Sequence, residues 1–203
     1  MDDIKAKIKN NLKLYEIGNS CSDLPELPKA SVLIPLLMKN GEMHVLMTLR
    51  SLELRSSAGE VCFPGGKYDP RDLSEMDTAL REAEEEIGLT SDQVEVICRF
   101  FPVINKTGLL VTPVVAFIED SFKAKPNPTE VSDVFAVPLD FFLNQSSHSC
   151  HVTGNLGEIH SFLYRDLDSG KSETLGGEVS VCSSVTRSFR SSYSGEALRV
   201  LHV

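Results

Sequence analysis

The sequence predicts an α+β fold in which a mixed β-sheet is sandwiched between helices (α/β/α), and three observations predict it. Two apolar runs, 31–38 and 43–49, flank Asn40-Gly41, a dipeptide that signals a tight β-hairpin because the favoured turn needs positive φ at both central residues. Further strand-like runs at 94–103, 109–118 and 131–137 are set apart by turns rich in Gly, Pro and Asn. Residues 76–87 carry a helical period that stops at Gly88, a residue suited to a left-handed C-cap.

Residues 2–14 set Ile4, Ile8 and Leu12 four apart among Lys and Asn, which predicts a short amphipathic helix lying on the domain. Pro25 and Pro28 make 23–29 a linker. After the hairpin, a short strand at 61–63 runs into Pro64-Gly65-Gly66, where the glycines permit backbone geometry and close ligand approach that other residues forbid. A turn at 106–108 separates the strands 94–103 and 109–118. The loop Lys125-Pro126-Asn127-Pro128 leads into the strand 131–137 and a helical turn at 139–143, and a last strand at 159–164 ends in a turn at 168–171. The expected division is a helix and linker over 1–28, a catalytic domain over 29–171 and a tail over 172–203. In the tail the hydrophobic periodicity fades and Ser and Arg accumulate, so it is expected to be poorly packed or disordered.

A chain of 203 residues, 41% hydrophobic, can bury one sizeable core. Its net charge of −9 argues against a nucleic-acid partner, which demands a clustered excess of Lys and Arg. Five cysteines with no Cys-x-x-Cys pair indicate neither a disulfide framework nor a zinc site and fit a reducing compartment. No apolar run reaches the length of a membrane span and the start Met1-Asp2-Asp3 lacks a secretory layout, so an intracellular, soluble protein is expected. The five histidines show no ligand spacing, and Cys62 is expected to be a small buried hydrophobe.

The helix carries the chemistry. Glu82, Glu85 and Glu86 stand at i, i+3 and i+4, one exposed acidic face, with Leu80, Ala83 and Ile87 on the opposite, buried side. Such a face is ordinarily just solvated, with Arg81 pairing with Glu85. Like charges at this spacing nevertheless destabilise a helix, so cations between the carboxylates make better physical sense, and oxygen-only ligands suit Mg2+ or Mn2+.

Gly65-Gly66, the acidic loop with Asp69 and Asp72, and Arg81-Glu82-x-x-Glu85-Glu86-x-Gly88 together resemble the Nudix box, G-x5-E-x7-R-E-x-x-E-E-x-G. In this chain Asp72 stands where the pattern has Glu, and eight residues separate it from Arg81, so the expectation rests on the helix glutamates. The resemblance implies the Nudix fold and a divalent metal held by Glu82, Glu85, Glu86 and the backbone carbonyl of Gly66. Glu85 or Glu130 would activate water, and Arg81 would orient the glutamates. Upstream, Leu46-Met47-Thr48-Leu49-Arg50-Ser51, Arg55 and Gly59-Glu60-Val61-Cys62-Phe63-Pro64-Gly65-Gly66 are similar to the signature of the coenzyme A diphosphatase branch, as are Asn127-Pro128-x-Glu130-Val131 and Val137-Pro138-Leu139.

That branch implies a small-molecule substrate, coenzyme A or an acyl derivative, cleaved at its diphosphate to 3′,5′-ADP and (acyl-)4′-phosphopantetheine. Arg50, Arg55 and Lys67, clustered about the glycine loop, are the expected phosphate-binding residues. Two alternatives stand beside it: a Nudix hydrolase of another nucleoside diphosphate derivative such as ADP-ribose, and an impaired variant that only binds acyl-coenzyme A. The resemblance also implies a peroxisomal address, whereas Leu201-His202-Val203 is not a peroxisomal signal, which leaves the cytosol as the alternative. The tail from Ser172 matches none of the branch's pattern, and a splice or frame difference that removes the last core helix is the expectation there.

Overall fold

The computed structural model describes residues 2–14, 16, 25–105, 107–143, 148–153, 157–162 and 164. The expectations for the tail 172–203, the turn at 168–171, Cys21, Cys182 and His202 fall outside the described residues, as do the side chains of Ile4, Cys150, His148, His151 and His160.

Strands β1 (Lys29–Lys39) and β2 (Glu42–Arg50) form the expected hairpin, with Asn40 at φ 54° and Gly41 at φ 85°, the double positive φ that its two-residue turn demands. Their pairing runs only from Lys39↔Glu42 to Leu36↔Val45. Beyond it the two strands part. β3 (Val61–Cys62) pairs with β2 at Thr48 and Leu49, and β4 (Gly65–Lys67) pairs with β1 at Ala30, Ser31 and Val32. The segment 61–67 thus fills the opening of a splayed hairpin.

Across its other edge β1 pairs in parallel with β7 (Leu110–Ile118), from Lys29↔Leu110 to Leu36↔Phe117. β5 (Val94–Arg99) and β6 (Val103–Ile104) lie antiparallel to β7, and β8 (Val131–Pro138) lies antiparallel to β2. The result is one mixed sheet of eight strands, with the path β3-β2-β1-β7-β5, and a separate two-stranded ribbon of β9 (His148–Thr153) and β10 (Gly157–Phe162).

The nine residues of β7 are all buried, as are the nine inner residues of β1, because helices cover both faces of the sheet. On one face Leu33, Leu37, Leu46 and Val114 meet Ala79, Ala83 and Ile87 of α2 (Glu75–Ile87). On the other, Val32, Ile34, Val115 and Phe117 cluster with Ile8 and Leu12 of α1 (Asp2–Lys13). α1 therefore shares the core, and a Lys5–Asp120 ion pair at 2.9 Å secures it at the surface. The helical turn Leu139–Leu143 buries Phe142 on the same face. The sandwich is as the sequence predicts. Among the described residues no helix is long and apolar enough to cross a membrane.

Three elements differ from expectation. The strand 94–103 is broken: β5 ends at Arg99, β6 resumes at Val103, and between them Pro102, without an N–H, cannot continue the ladder. β4 is a strand where the glycines suggest only a loop. The ribbon strand β9 is polar enough to carry no apolar signal of its own, and its partner β10 begins and ends two residues earlier than expected.

Candidate active site

α2 is fixed at both ends by local chemistry. The Ser74 hydroxyl accepts a hydrogen bond from the Asp77 N–H at 3.2 Å, Glu75 and Asp77 complement the helix dipole, and Gly88 caps the C-terminus in the left-handed conformation at φ 71°. The helix sits rotated from the expected setting. Thr78, Ala79, Ala83, Glu86 and Ile87 are its buried residues, Leu80 is half-buried, and the acidic face is not one exposed stripe. Glu86 is only 2% exposed and Glu82 half-buried, and Glu85 alone is open to solvent.

The burial of Glu86 follows from the splayed hairpin. Glu86 Oε2 accepts a hydrogen bond from the Gly65 N–H at 3.1 Å, and the Glu82 carboxylate lies against Gly66, where a Cβ would collide with it. Both carboxylates thereby line a cavity of about 610 Å3 walled by Val32, Phe63 and Val111, residues of the sheet face opposite to α2. The two glycines let a helix on one face present acids to a cavity on the other. Glu130 lines the same cavity, its carboxylate accepting from Asn127 Nδ2 at 3.2 Å, and so do Arg50, Lys67 and Gly66.

Arg81 is the hub behind the acids. Its Nε and Nη2 hold Asp72 bidentately at 3.0 and 3.1 Å, its Nη1 donates to Glu82 at 3.0 Å and Glu85 at 3.1 Å, and Nη2 also donates to the Lys67 carbonyl at 3.1 Å. Asp72 is buried and further accepts from Thr78 Oγ1 and the Asp69 N–H, both at 2.9 Å. The residue that departs from the box pattern is thus the anchor of Arg81. Glu85 and the exposed Arg55 are not among the cavity-lining residues.

Electrostatics divide these acids. The hydrogen bonds of Arg81 hold the Asp72 carboxyl far below its ordinary range, outweighing burial. Its folded pKa is depressed, so its contribution to stability is present above the unfolded value of 3.8 and is lost as pH falls through the folded value. Asp72→Asn is therefore expected to lower the melting temperature at pH 7 by several degrees, with the gap to the parent closing below about pH 4 in thermal melts; a constant gap would count against the Asp72–Arg81 pair as its source. Burial, in contrast, pushes the Glu82 carboxyl up against the pull of Arg81. Burial also takes Glu86 to about 7, with Gly65 and Arg50 opposing and the charges of Glu82 and Glu130 adding.

A buried and a half-buried acid lining one cavity with Glu130 call for a cation, and the donors are all hard oxygens. Among the described residues no three Asp, Glu, His or Cys side chains form a cage by themselves, so a cation here would need carbonyl, water or phosphate oxygens besides a carboxylate or two. The residues present fit a hard divalent cation.

Arg50 stands 3.7 Å from Glu86, and its buried Nε has no hydrogen-bond partner. Cys62, expected to be a small buried hydrophobe, lies half-buried on the cavity wall, its sulfur 3.2 Å from Thr48 Oγ1 and its thiol pKa raised by burial. His44 is buried and bonded to the Glu42 carbonyl at 3.1 Å. Sequence reasoning did not find the cavity's other walls, Ser56 and Ser57 beside Glu60, Asn105 and Thr107, or the apolar floor of Ala30, Val32, Leu109 and Val111. Only the register of β1 against β7 brings the floor together.

Comparison with known proteins agrees with this architecture. The NUDIX domain model matches residues 27–152. The chain is 42% identical to the peroxisomal coenzyme A diphosphatase NUDT7 of Mus musculus over 183 residues, 89% of this chain and 75% of that protein. It is 41% identical to the Nudix hydrolase NudL of Photorhabdus laumondii over 131 residues, 64% of this chain and 70% of that one. A MutT/nudix family protein from Enterococcus faecalis shares the fold at a TM-score of 0.51 and 17% identity, covering 97% of this chain and 74% of its own. With its glycine-lined split, its helix acids and these relatives, the chain belongs to the Nudix hydrolase family.

Proposed function

We propose that this Nudix hydrolase cleaves the diphosphate of coenzyme A and its acyl derivatives, giving 3′,5′-ADP and (acyl-)4′-phosphopantetheine. The observation that carries the reading is the cavity in which Glu82 and Glu86, presented past Gly65 and Gly66, face Glu130 with Arg50 and Lys67 beside them. The similarity to the mouse diphosphatase supplies the substrate class.

Glu82, Glu86 and the Gly66 carbonyl would hold Mg2+ or Mn2+, while Glu85, held by Arg81, stands outside the cavity lining. Such an ion offsets the phosphate oxygens' charge and makes water a competent nucleophile near neutral pH. Arg81 holds Glu82 and Glu85 in place. Glu130, oriented by Asn127, takes the proton from the attacking water as the bond to the departing phosphate breaks, and Glu85 is the alternative base. Arg50, with its unpartnered Nε, and Lys67 bind the diphosphate, and Arg55, next to the cavity-lining Ser56, makes the outermost phosphate contact.

The test is product analysis by the purified full chain with coenzyme A and Mg2+ or Mn2+. Formation of 3′,5′-ADP, abolished by chelator and at least about tenfold faster than cleavage of ADP-ribose, is expected. Faster cleavage of ADP-ribose would replace the substrate assignment.

A further inference from the structure

The cavity is chemically divided. Glu82, Glu86, Glu130 and Arg50 line it together with an apolar set, Ala30, Val32, Phe63, Leu109 and Val111, whose members Ala30 and Val111 are brought together by the pairing of β1 with β7. Within the floor Ala30 is central. It pairs with Lys67 across β1 and β4 and with Val111 across β1 and β7, so the three side chains share one face in a row across the sheet. Lys67 is exposed, and its charge belongs to the mouth.

The proposed substrate is divided in the same way. Its nucleotide half carries the 3′-phosphate, and its pantetheine arm, with any thioester-linked chain, carries no charge. A phosphate is better served at the edge, where Lys67, Asn105 and Thr107 line the cavity, than on apolar side chains that offer no donor of their own.

Resting on the coenzyme A reading, we infer that the floor of Ala30, Val32, Phe63, Leu109 and Val111 receives the pantetheine-acyl arm, and that the small side chain of Ala30 sets the bulk of the acyl group admitted. A side chain longer than Ala at position 30 projects into the row between Val111 and Lys67 and takes the volume that the arm would occupy. Burial of an alkyl chain contributes about fourfold in affinity per methylene, so losing two methylenes of contact is already an effect of about fifteenfold.

Decanoyl-pantetheine, which lacks the nucleotide and the diphosphate, tests the floor without turnover. Calorimetry on the full chain should show saturable binding that weakens progressively in Ala30→Val and Ala30→Leu, by about tenfold or more in the second. Both variants suit a strand, and a thermal melt checks that each is folded. In parallel, the ratio of kcat/KM for decanoyl-coenzyme A to that for coenzyme A should fall in the same order, through KM. No binding of the probe by the parent, or equal binding by folded Ala30→Val and Ala30→Leu, overturns the inference. Absence of coenzyme A cleavage by the parent overturns the functional reading instead, and graded probe binding in that case still assigns the floor to an acylated, uncharged arm.

Discussion

Glu86→Gln is expected to reduce turnover by about 10^2- to 10^3-fold, the scale on which removal of a preorganised electrostatic group acts, while leaving the metal-free protein at least as heat-stable as the parent. The two outcomes have one cause. Glu86 is 2% exposed, its hydrogen bond comes from a neutral N–H, Arg50 stands 3.7 Å away, and the charges of Glu82 and Glu130 oppose its ionisation. Its folded pKa of about 7 lies above the ordinary 4.5, so between these values the unfolded chain binds fewer protons than the folded one. Stability of the metal-free parent therefore falls as pH rises from about 4.5 to about 7, by on the order of 3 kcal/mol. Glutamine keeps an oxygen to accept from Gly65 and has no charge to bury. In chelator the variant should match the parent at pH 4 and exceed it at pH 8, and divalent metal should raise the melting temperature of the parent much more than that of the variant. Near-parental turnover would remove Glu86 from the metal set, and a variant that melts several degrees below the parent at pH 8 would show that the carboxylate is not strained.

What the sequence made legible was local. The hairpin at Asn40-Gly41 follows from turn chemistry within two residues, and the helical period and Gly88 mark α2 and its C-terminal end, while the structure adds the Ser74 cap one residue before its start at Glu75. The acids of the helix were legible for the same reason, but their environment was not. Leu80 is a better apolar residue than Thr78, yet Thr78 is the buried one because its hydroxyl bonds to Asp72, a tertiary partner that no period reveals. Asp72 departs from the box pattern in type and spacing, and its importance emerges only where the loop folds back onto Arg81. The floor of the cavity is further from view still, since Ala30 and Val111 meet through a parallel pairing of segments some eighty residues apart. β4 contains two glycines and reads as a loop, but the edge of β1 offers unpaired backbone groups that this segment satisfies.

The two glycines of that strand should fail in different ways when replaced by alanine. At Gly66 the atoms nearest to an added Cβ are the carboxylate end of Glu82, a flexible side chain that can swing aside. Gly66→Ala is therefore expected to fold with a melting temperature within a few degrees of the parent, yet to lose about 10^2-fold or more in kcat because the displaced acid no longer reaches its metal position. At Gly65 the added atom meets the Ser31 carbonyl oxygen and, at 2.6 Å, the Cα of Val32, both backbone of the central strand β1. Neither can move without breaking the pairing Val32↔Gly65 or the parallel register Val32↔Pro113. Gly65→Ala is expected to cost about 3 kcal/mol or more, the upper range for overpacking, and to show it as a lowered denaturation midpoint before any question of activity arises. Should Gly66→Ala keep parental kcat, Glu82 does not act from the position it holds against Gly66. Should Gly65→Ala melt like the parent, the insertion of β4 into the hairpin is looser than its backbone contacts require. The contrast separates the two jobs of the glycine loop: one residue lets strand meet strand, and the other leaves the space through which a helix acid reaches the cavity.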